Sequence, residues 1–396
     1  MSARLGPVVD DVTLEELDSD PYPFYARMRR ESPVAYLPLS EQWLVTRWDD
    51  CQAIGIDATV ADTADAVMDD YFGPSIITAA GDVHRWLRGG VDPPLRPRAI
   101  QGYMNSRARH VAREYVTRIR PRGRADATGE LLELISVRVI GDVLGLRDAA
   151  DETLQRWFHA LSAGLTNFDA DSGLALAARA TMRELDQYVA GAIDRLTAAP
   201  DDSGLSSMVH AGTGDGGPRT FDDLIGTVRV IVLGGFQEPG HGAGASLLGL
   251  LSNPGQLAAA IADPDATLPL AVHEGLRWIA PFGVTGRRAI RDLKVGDVVI
   301  PEGARIALGC GSANHDETRY TRGELFDLGR PKVAHAAFGW GLHYCSGHFI
   351  SRALEQVVLE EVLSGLPALR LDPDEPATVH GWQVRGVKRL PVIWNP

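Results

Sequence analysis

Cysteine is scarce in this sequence of 396 residues. The three cysteines, Cys51, Cys310 and Cys345, are far apart and odd in number, so no disulfide framework is implied. At least one of them should be a free thiol. Neither a CxxC pair nor a paired His–Cys spacing occurs, and this disfavours a structural zinc site.

Positive charge is also in short supply. The sequence has 39 Lys and Arg against 52 Asp and Glu, which gives a net charge of −13. This balance argues against a nucleic-acid partner, because phosphate neutralisation needs clustered basic residues. No apolar run approaches the roughly 20 residues that span a bilayer, and the N-terminal segment lacks the apolar core of a signal peptide. We therefore expect a cytoplasmic protein without a membrane partner.

What the sequence has in quantity is helical periodicity. Long helices are predicted at 106–119, 126–146, 151–164, 174–197, 221–233, 243–252 and 267–278. Aromatic and β-branched residues predict a hairpin at 34–48, and strand-like pieces return at 293–308 and, as a strand pair, at 384–394. We find no repeat and no obvious linker. The pattern predicts one domain over residues 1–396, mainly α with a minor β region.

The segment AFGWGLHYCSGHFISRALEQVVLEEVL (337–363) carries the clearest chemical signal. Gly339 and Gly341 permit backbone conformations that other residues avoid, and the pattern turns helical after Cys345. Cys345 is therefore expected at a helix N-terminus, where free N–H groups and the helix dipole stabilise a thiolate. Taken alone, a free cysteine is more often a buried core residue.

The Gly-x-Gly-x-His-x-Cys-x-Gly spacing around Cys345 resembles the cysteine loop of the cytochrome P450 family, the haem-thiolate monooxygenases. The resemblance covers nearly the whole chain, including DPYPFY near the start and GSANHDE at 311–317, where His315 replaces the usual Arg. It implies the cytochrome P450 fold, an α-helical haem domain with small β-sheets. It also implies haem b as cofactor, with Cys345 as iron ligand and His343 beside a haem propionate.

Other basic residues match positions that hold haem propionates in similar proteins. His84 and Arg88, in GDVHRWLR, lie one helical turn apart and present two cationic donors on one face. Arg287, in VTGRRA, occupies the position of a further propionate-binding arginine. Each would be a solvated basic residue if it stood alone, but together with Cys345 they predict a haem cradle.

Glu274 and Arg277, in LPLAVHEGLRW, lie three residues apart on one helical face. By itself this would be a solvent-exposed ion pair. The pair resembles the Glu-x-x-Arg element that the family buries behind its cysteine loop as a structural lock. Leu325 stands where a third member, Arg or His, is common, so we expect the triad to be incomplete.

The segment LGGFQEPGHG (233–242) interrupts two apolar helical stretches with glycine, proline and a carboxylate. It is either a loop or one long helix with an opened turn, and we favour the helix. Similar proteins have Ala/Gly-Gly-x-Asp/Glu-Thr there, over the oxygen-binding face of the haem. Gln237 then falls at the acid position and Glu238 at the threonine position, and we predict that both are catalytic. Pro239 frees a helical carbonyl, and burial would raise the pKa of Glu238 enough for proton transfer.

The QEPGH run, with EGLRW and GSANHD, closely resembles the actinobacterial cytochromes that O-demethylate lignin-derived methoxyphenols such as guaiacol and syringol. The resemblance implies hydroxylation of the methyl carbon, followed by collapse to formaldehyde and a catechol-type product. Electrons would come from a separate protein, either a ferredoxin with its reductase or a flavin/iron–sulfur reductase. The small aromatic substrate is the other partner.

Alignment to that group predicts the walls of an aromatic pocket. The substrate-facing residues are predicted to be Tyr71, Phe72, Leu165, Gly234, Gly235, Phe282, Thr285 and Val384. The glycines would clear space above the haem for a flat ring. The aliphatic Leu165 and Val384 would leave room for a second ring substituent, such as the second methoxy group of syringol.

Three alternatives to this function stay open. The first is a peroxygenase acting on the same substrates, because Glu238 in place of threonine suits cleavage of hydrogen peroxide. The second is a cytochrome P450 hydroxylase of another small molecule. The third is a haem-containing sensor or carrier that has no catalytic activity.

Overall fold

The computed structural model describes residues 6–63, 68, 71–167, 170–212 and 217–396. Helices account for 57% of the chain and strands for 11%, which confirms a mainly α protein with a minor β region. Among the described residues, the α-helices numbered here begin with α1 (Leu14–Ser19), α2 (Tyr22–Glu31), α3 (Trp48–Ile56), α4 (Gly81–Val91), α5 (Pro97–Tyr103), α6 (Arg109–Ile119), α7 (Glu133–Leu144) and α8 (Asp151–Leu165). The next are α9 (Ser172–Ala198), α10 (Gly204–His210), α11 (Phe221–Leu251), α12 (Pro254–Ala262), α13 (Pro264–Trp278), α14 (Cys310–Ala313) and α15 (His348–Gly365).

The strands form small sheets beside the helices. They are β1 (Val34–Leu37), β2 (Gln42–Val45), β3 (Ala61–Asp62), β4 (Arg124–Asp126), β5 (Thr285–Ala289), β6 (Leu293–Val295), β7 (Val298–Ile300), β8 (Arg305–Leu308), β9 (Arg370–Leu371), β10 (Thr378–His380), β11 (Gly386–Arg389) and β12 (Pro391–Ile393). The largest sheet has the order β1-β2-β8-β5-β3, with β2 and β8 parallel. The predicted hairpin at 34–48 is confirmed, because β1 pairs antiparallel with β2 and places Val34 opposite Val45.

The predicted strand pair at 384–394 is wrong in its pairing. Both β11 and β12 form, but β11 pairs with β10, and β12 lies between β4 and β9. One residue, Leu390, separates the two strands. Two-residue loops are the short connections that hairpins use, so the chain leaves one sheet at this point and enters another.

Helix α11 runs from Phe221 to Leu251 and is buried over most of its length. The Asp223 carboxylate accepts hydrogen bonds from the backbone N–H and the hydroxyl of Thr220, at 2.7 and 2.8 Å, which fixes the first turn. The predicted helices 221–233 and 243–252 are therefore joined. The prediction that LGGFQEPGHG is helical is confirmed, and Pro239 lies inside the helix.

The glycines of α11 are explained by close packing against its neighbours. A Cβ at Gly240 would lie 3.1 Å from the carbonyl oxygen of Leu132, and one at Gly242 would lie 2.6 Å from the Glu355 carboxyl carbon on α15. An added Cβ would crowd the Leu132 carbonyl at Gly240 and would displace the Glu355 carboxyl at Gly242. The loss of helix propensity, about 1 kcal/mol for each glycine, is the consequence of letting α7 and α15 lie close to α11.

Glu274 and Arg277 form a buried pair near the end of α13. The Arg277 guanidinium donates to both Glu274 oxygens, at 2.8 and 2.7 Å. The expectation of an incomplete triad is wrong, because Arg330 donates to Glu274 Oε1 at 3.0 Å. Leu325, the position where the sequence predicted the missing third member, has an exposed side chain and offers only its carbonyl oxygen to Arg277. No described helix combines the length and apolarity that a membrane crossing requires.

Candidate active site

The cysteine loop is shaped by two glycines in the left-handed region. Gly339 has φ 69° and Gly341 has φ 66°, and both conformations disfavour other residues. A Cβ at Gly341 would also lie 2.5 Å from the carbonyl oxygen of Gly55 on α3. The Cys345 N–H donates to the Phe338 carbonyl at 3.0 Å, which closes the loop. The sulfur therefore occupies a position that the backbone defines.

The expectation that a helix N-terminus stabilises a Cys345 thiolate needs correction. Helix α15 begins at His348, three residues after Cys345. Burial and the nearby Glu238 carboxylate raise the pKa of Cys345 to about 12, although a hydrogen bond from the Gly347 backbone acts in the opposite direction. These effects favour the neutral thiol as long as no metal ion is bound, although the charges of Arg88 and Arg352 act in the opposite direction. A metal ion deprotonates a coordinating thiol outright.

The four basic residues predicted to hold haem propionates lie close together. The His84 ring, on α4, lies 4.7 Å from the His343 ring. Arg88, one turn along α4, donates to the Tyr344 carbonyl at 2.9 Å. Burial, together with the charges of Arg287, His84 and Arg88, lowers the pKa of His343 to about 4. Cationic groups of several elements thus converge on His343.

This cluster fits an anionic group. His84 is 2% exposed, and neither of its ring nitrogens has a hydrogen-bond partner among the described residues. A buried polar atom without a partner costs free energy, and the mutual repulsion of these basic groups adds to that cost. Haem propionates would satisfy the imidazole and offset the positive charge, so the residues present fit the haem that the cysteine loop implies.

One apolar cavity brings Cys345 and Glu238 together. The predicted substrate-facing residues that line it are Phe72, Leu165, Gly234, Gly235, Phe282 and Thr285. Tyr71 lines an adjoining cavity, which shares Leu165, Phe282 and Thr285 with the first. Val384 is buried, forms a bridge with Phe282 and lines neither of these two cavities.

Sequence reasoning missed several aliphatic residues of this cavity. Ile76, Ile140, Val230 and Ile231 line it together with residues of the cysteine loop. Periodicity alone marks such residues as core, because an apolar side chain beside a cavity has the same pattern as one inside a core. For two of them the sequence offered a signal. Val230 and Ile231 lie just upstream of LGGFQEPGHG, the segment predicted to lie over the haem.

The two predicted catalytic residues of α11 face different surroundings. Glu238 is half-buried and lines the cavity, and burial raises the pKa of its carboxyl to about 8. Gln237 is buried elsewhere, where its Nε2 lies 2.8 Å from His241 Nε2. Gln237 is not among the residues that line the two cavities. The structure therefore brings Glu238, but not Gln237, to the cavity of Cys345.

Comparison with known proteins agrees with this geometry. The family model for cytochrome P450 matches residues 267–377. Cytochrome P450 107B1 of Saccharopolyspora erythraea is 28% identical over 389 residues, which cover 93% of each chain. The 6-deoxyerythronolide B hydroxylase of the same organism is 27% identical over 410 residues, covering 97% of this chain and 98% of that protein. The ligand-free structure of cytochrome P450 TbtJ1 superposes with a TM-score of 0.86 at 26% identity, covering 97% of this chain and all of the other.

The fold and the cavity with its cysteine loop define a haem-thiolate oxidoreductase. The family model, the relatives and the solved structure all make this chain similar to the cytochrome P450 family, the monooxygenases that hold a haem with its iron bound by a cysteine thiolate. None of the relatives named here is an aromatic O-demethylase by its name.

Proposed function

We propose that the protein O-demethylates a small methoxyphenol of the guaiacol or syringol type. The observation that carries the proposal is Glu238, a protonatable carboxyl that shares an otherwise largely apolar cavity with Cys345. The QEPGH run of the central helix, found in the similar O-demethylases, supports the choice of reaction. The haem, held by Cys345 and the basic cluster, would supply oxygen activation.

The residues around the cavity suit a flat aromatic ring. Phe72 and Phe282 provide aromatic surfaces, and Leu165 adds an aliphatic wall. Thr285 contributes a hydroxyl for the phenol oxygen. Gly234 has no side chain, so the ring would contact the backbone and the Glu238 carboxyl group there. Exclusion of water by these walls strengthens every polar contact made inside.

The Glu238 carboxyl is placed to move the protons that the reaction consumes. Because burial raises its pKa to about 8, the group is mostly protonated at pH 7 and can donate a proton from its carboxyl oxygen into the cavity. Hydroxylation of the methoxy carbon then gives a hemiacetal, which releases formaldehyde and leaves a catechol-type product. Electrons come from a separate redox partner.

The first test uses the haem-loaded protein with guaiacol and syringol. We expect each substrate that fits to shift the ferric spin state and, with a reductase present, to release formaldehyde in proportion to the catechol formed. 4-Ethylphenol, which lacks the methoxy group, is the control for binding without demethylation. No spin-state shift and no formaldehyde with either methoxyphenol would disprove the substrate class.

A second candidate is a peroxygenase that acts on the same substrates. The specific observation in its favour is again Glu238, which stands where the family usually has threonine and so places a carboxyl beside the site of peroxide cleavage. Comparison of peroxide-driven with reductase-driven turnover separates the two candidates. Faster demethylation with peroxide than with a saturating reductase identifies the peroxygenase.

A further inference from the structure

A third cavity lies apart from the haem site. Its volume is about 650 Å³, which suits a small molecule. It opens between α2, the C-terminal end of α13, the loop that follows α14 and the segment that joins β10 to β11. No lining residue is shared with the two cavities of the candidate active site. A molecule bound here would therefore touch neither the substrate nor the haem.

Arg385 lines this cavity, and its side chain is buried, with only 5% exposed. Its Nη1 donates to the carbonyls of Asp18 and Gly381 at 3.1 and 2.9 Å, and its Nη2 donates to the Ser19 carbonyl at 3.1 Å. Its Nε is buried and has no hydrogen-bond partner among the described residues. No described carboxylate forms an ion pair with it, and the Asp18 carboxylate accepts the Trp382 N–H instead. Arg385 is thus a buried charge without a counter-charge, which is costly.

The N–H groups that Arg385 leaves unused are those that hold carboxylates elsewhere in the chain. Of the guanidinium donors, the Nε–H and one N–H of Nη2 remain. In Arg29 the same two nitrogens donate to the Glu317 carboxylate, at 2.9 and 2.7 Å. In Arg277 they donate to Glu274, at 2.8 and 2.7 Å. The free edge of Arg385 therefore has the donor set of a bidentate carboxylate site.

The Tyr22 phenol lies beside Arg385 but does not balance its charge. The guanidinium carbon is 5.3 Å from the centroid of the Tyr22 ring. Burial raises the pKa of Tyr22, although the charge of Arg385 and a hydrogen bond with it act in the opposite direction, so the phenol is neutral at pH 7. Its hydroxyl donates to the Trp278 carbonyl at 3.0 Å. The counter-charge of Arg385 is left to a ligand.

The other lining residues favour an anion that is singly charged and largely apolar. Ile279 is buried and Val379 is half-buried, and both offer aliphatic surface to the cavity. Asp20 and Glu324 are exposed lining residues, and their two carboxylates outweigh the one exposed guanidinium of Arg322. This balance opposes an anion of higher charge, such as phosphate.

We propose that this cavity binds a small organic acid. The carboxylate of the acid accepts hydrogen bonds from Nε and Nη2 of Arg385, and its apolar body lies against Ile279 and Val379. Two parallel N–H donors make such a pair both strong and specific in geometry. The site is independent of the proposed demethylation and of its substrate, so the failure of either leaves it unaffected.

The test uses benzoate as the probe and calorimetric titration of the haem-loaded protein. Saturating 4-phenylimidazole, which ligates haem iron, keeps benzoate out of the cavity of Cys345. We expect Arg385→Gln to weaken benzoate binding at least about tenfold, because a hydrogen-bonded charge pair is lost. Benzyl alcohol, the uncharged counterpart of benzoate, should bind wild type at least about tenfold more weakly for the same reason.

Arg389→Gln is the matched control, since Arg389 is a nearby arginine, 55% exposed and outside this cavity, and its variant should bind benzoate like wild type. Ala26→Phe on α2 reduces the space in the cavity and leaves Arg385 in place. It should also weaken benzoate binding at least about tenfold, and it tests the site even where Arg385→Gln fails to fold. No benzoate binding by wild type, or unchanged affinity in Ala26→Phe, would overturn the site. Tighter binding of inorganic phosphate than of benzoate would overturn the choice of an organic acid.

Discussion

At the scale of single residues, Glu238 departs far from its behaviour in water. Its carboxyl lies in a largely apolar cavity, and burial alone accounts for a pKa raised to about 8. The carboxyl also acts on Cys345, whose pKa it raises in addition to the effect of burial.

The pH dependence of peroxide-driven demethylation tests this residue. If protonated Glu238 is the donor, wild-type activity should fall about tenfold per pH unit above pH 8, because the neutral form disappears as pH rises through its pKa. Glu238→Gln should lack this fall, and Glu238→Thr should lower activity at pH 7 by ~10²-fold. The rate of formaldehyde release between pH 6 and 9.5 is measured. A fall of the same shape in all three proteins would contradict the role.

Some residues could not have been placed from the sequence. The spacing of Glu274 and Arg277 predicted their contact, because three residues make nearly one helical turn. Arg330 joins them through a loop, at 3.0 Å from Glu274 Oε1, and no helical or strand period relates its position to theirs. The sequence also did not show that Gln237 lies outside the cavity. Its partner His241 is one helical turn away, but the direction of the Gln237 side chain relative to the cavity depends on how α11 packs.

At the scale of secondary-structure elements, the glycines of α11 decide how closely its neighbours approach. Gly242 faces the buried Glu355 carboxyl of α15, and a Cβ there would lie 2.6 Å from the carboxyl carbon. Ser351 donates to Glu355 Oε1 at 2.7 Å, which limits how far that side chain can move. The glycine is therefore a packing requirement rather than a break in the helix.

Gly242→Ala should destabilise the protein by about 1–3 kcal/mol, because the added methyl group overpacks a filled interface. Gly191 on α9 provides the matched control: it is exposed, with no atom within 4 Å of an added Cβ. Gly191→Ala should stabilise by ~0.5–1 kcal/mol through helix propensity alone. The free energy of unfolding in urea is measured for both. Equal effects of the two substitutions would contradict the packing argument.

The helices with a strong hydrophobic period were predicted well, whereas the pairing of the C-terminal strands was not. Helices 151–164 and 174–197 correspond to α8 and α9 within a few residues. The chain from 384 to 394 was correctly predicted as strand, yet β11 and β12 belong to different sheets. Periodicity reports which face of an element is buried, whereas pairing depends on contacts between segments that are distant in sequence.

At the scale of the whole molecule, the active site draws on segments from across the chain. His84 on α4, Glu238 on α11 and Cys345 before α15 meet at one site although more than a hundred residues separate each from the next. The sequence indicated this meeting only through its resemblance to a known family. Composition and periodicity would have stopped at a mainly helical protein. The prediction that residues 1–396 form one domain stays a prediction.

Stability of the whole molecule against acid should depend on its buried, neutral histidines, of which His315 is a clear case. Its ring stacks on Tyr22 at 4.1 Å and its Nε2 lies 2.9 Å from the Trp278 carbonyl, so it joins α2 to the end of α13. Burial, with the charge of Arg277, lowers the pKa of His315 to about 3. The unfolded chain therefore binds a proton there below pH 6.5 while the folded protein does not.

Stability contributed by neutral His315 is thus present above pH 6.5 and is lost as pH falls toward 3. Between pH 7 and 4.5, wild type should lose on the order of 2 kcal/mol more than His315→Gln, which keeps a donor for the Trp278 carbonyl but has no proton to bind. His110→Gln, at an exposed histidine, should follow wild type. Urea unfolding at the two pH values gives the difference. An equal loss in His315→Gln would show that His315 is protonated in the folded protein, and the stacked contact with Tyr22 would then have to tolerate a charge.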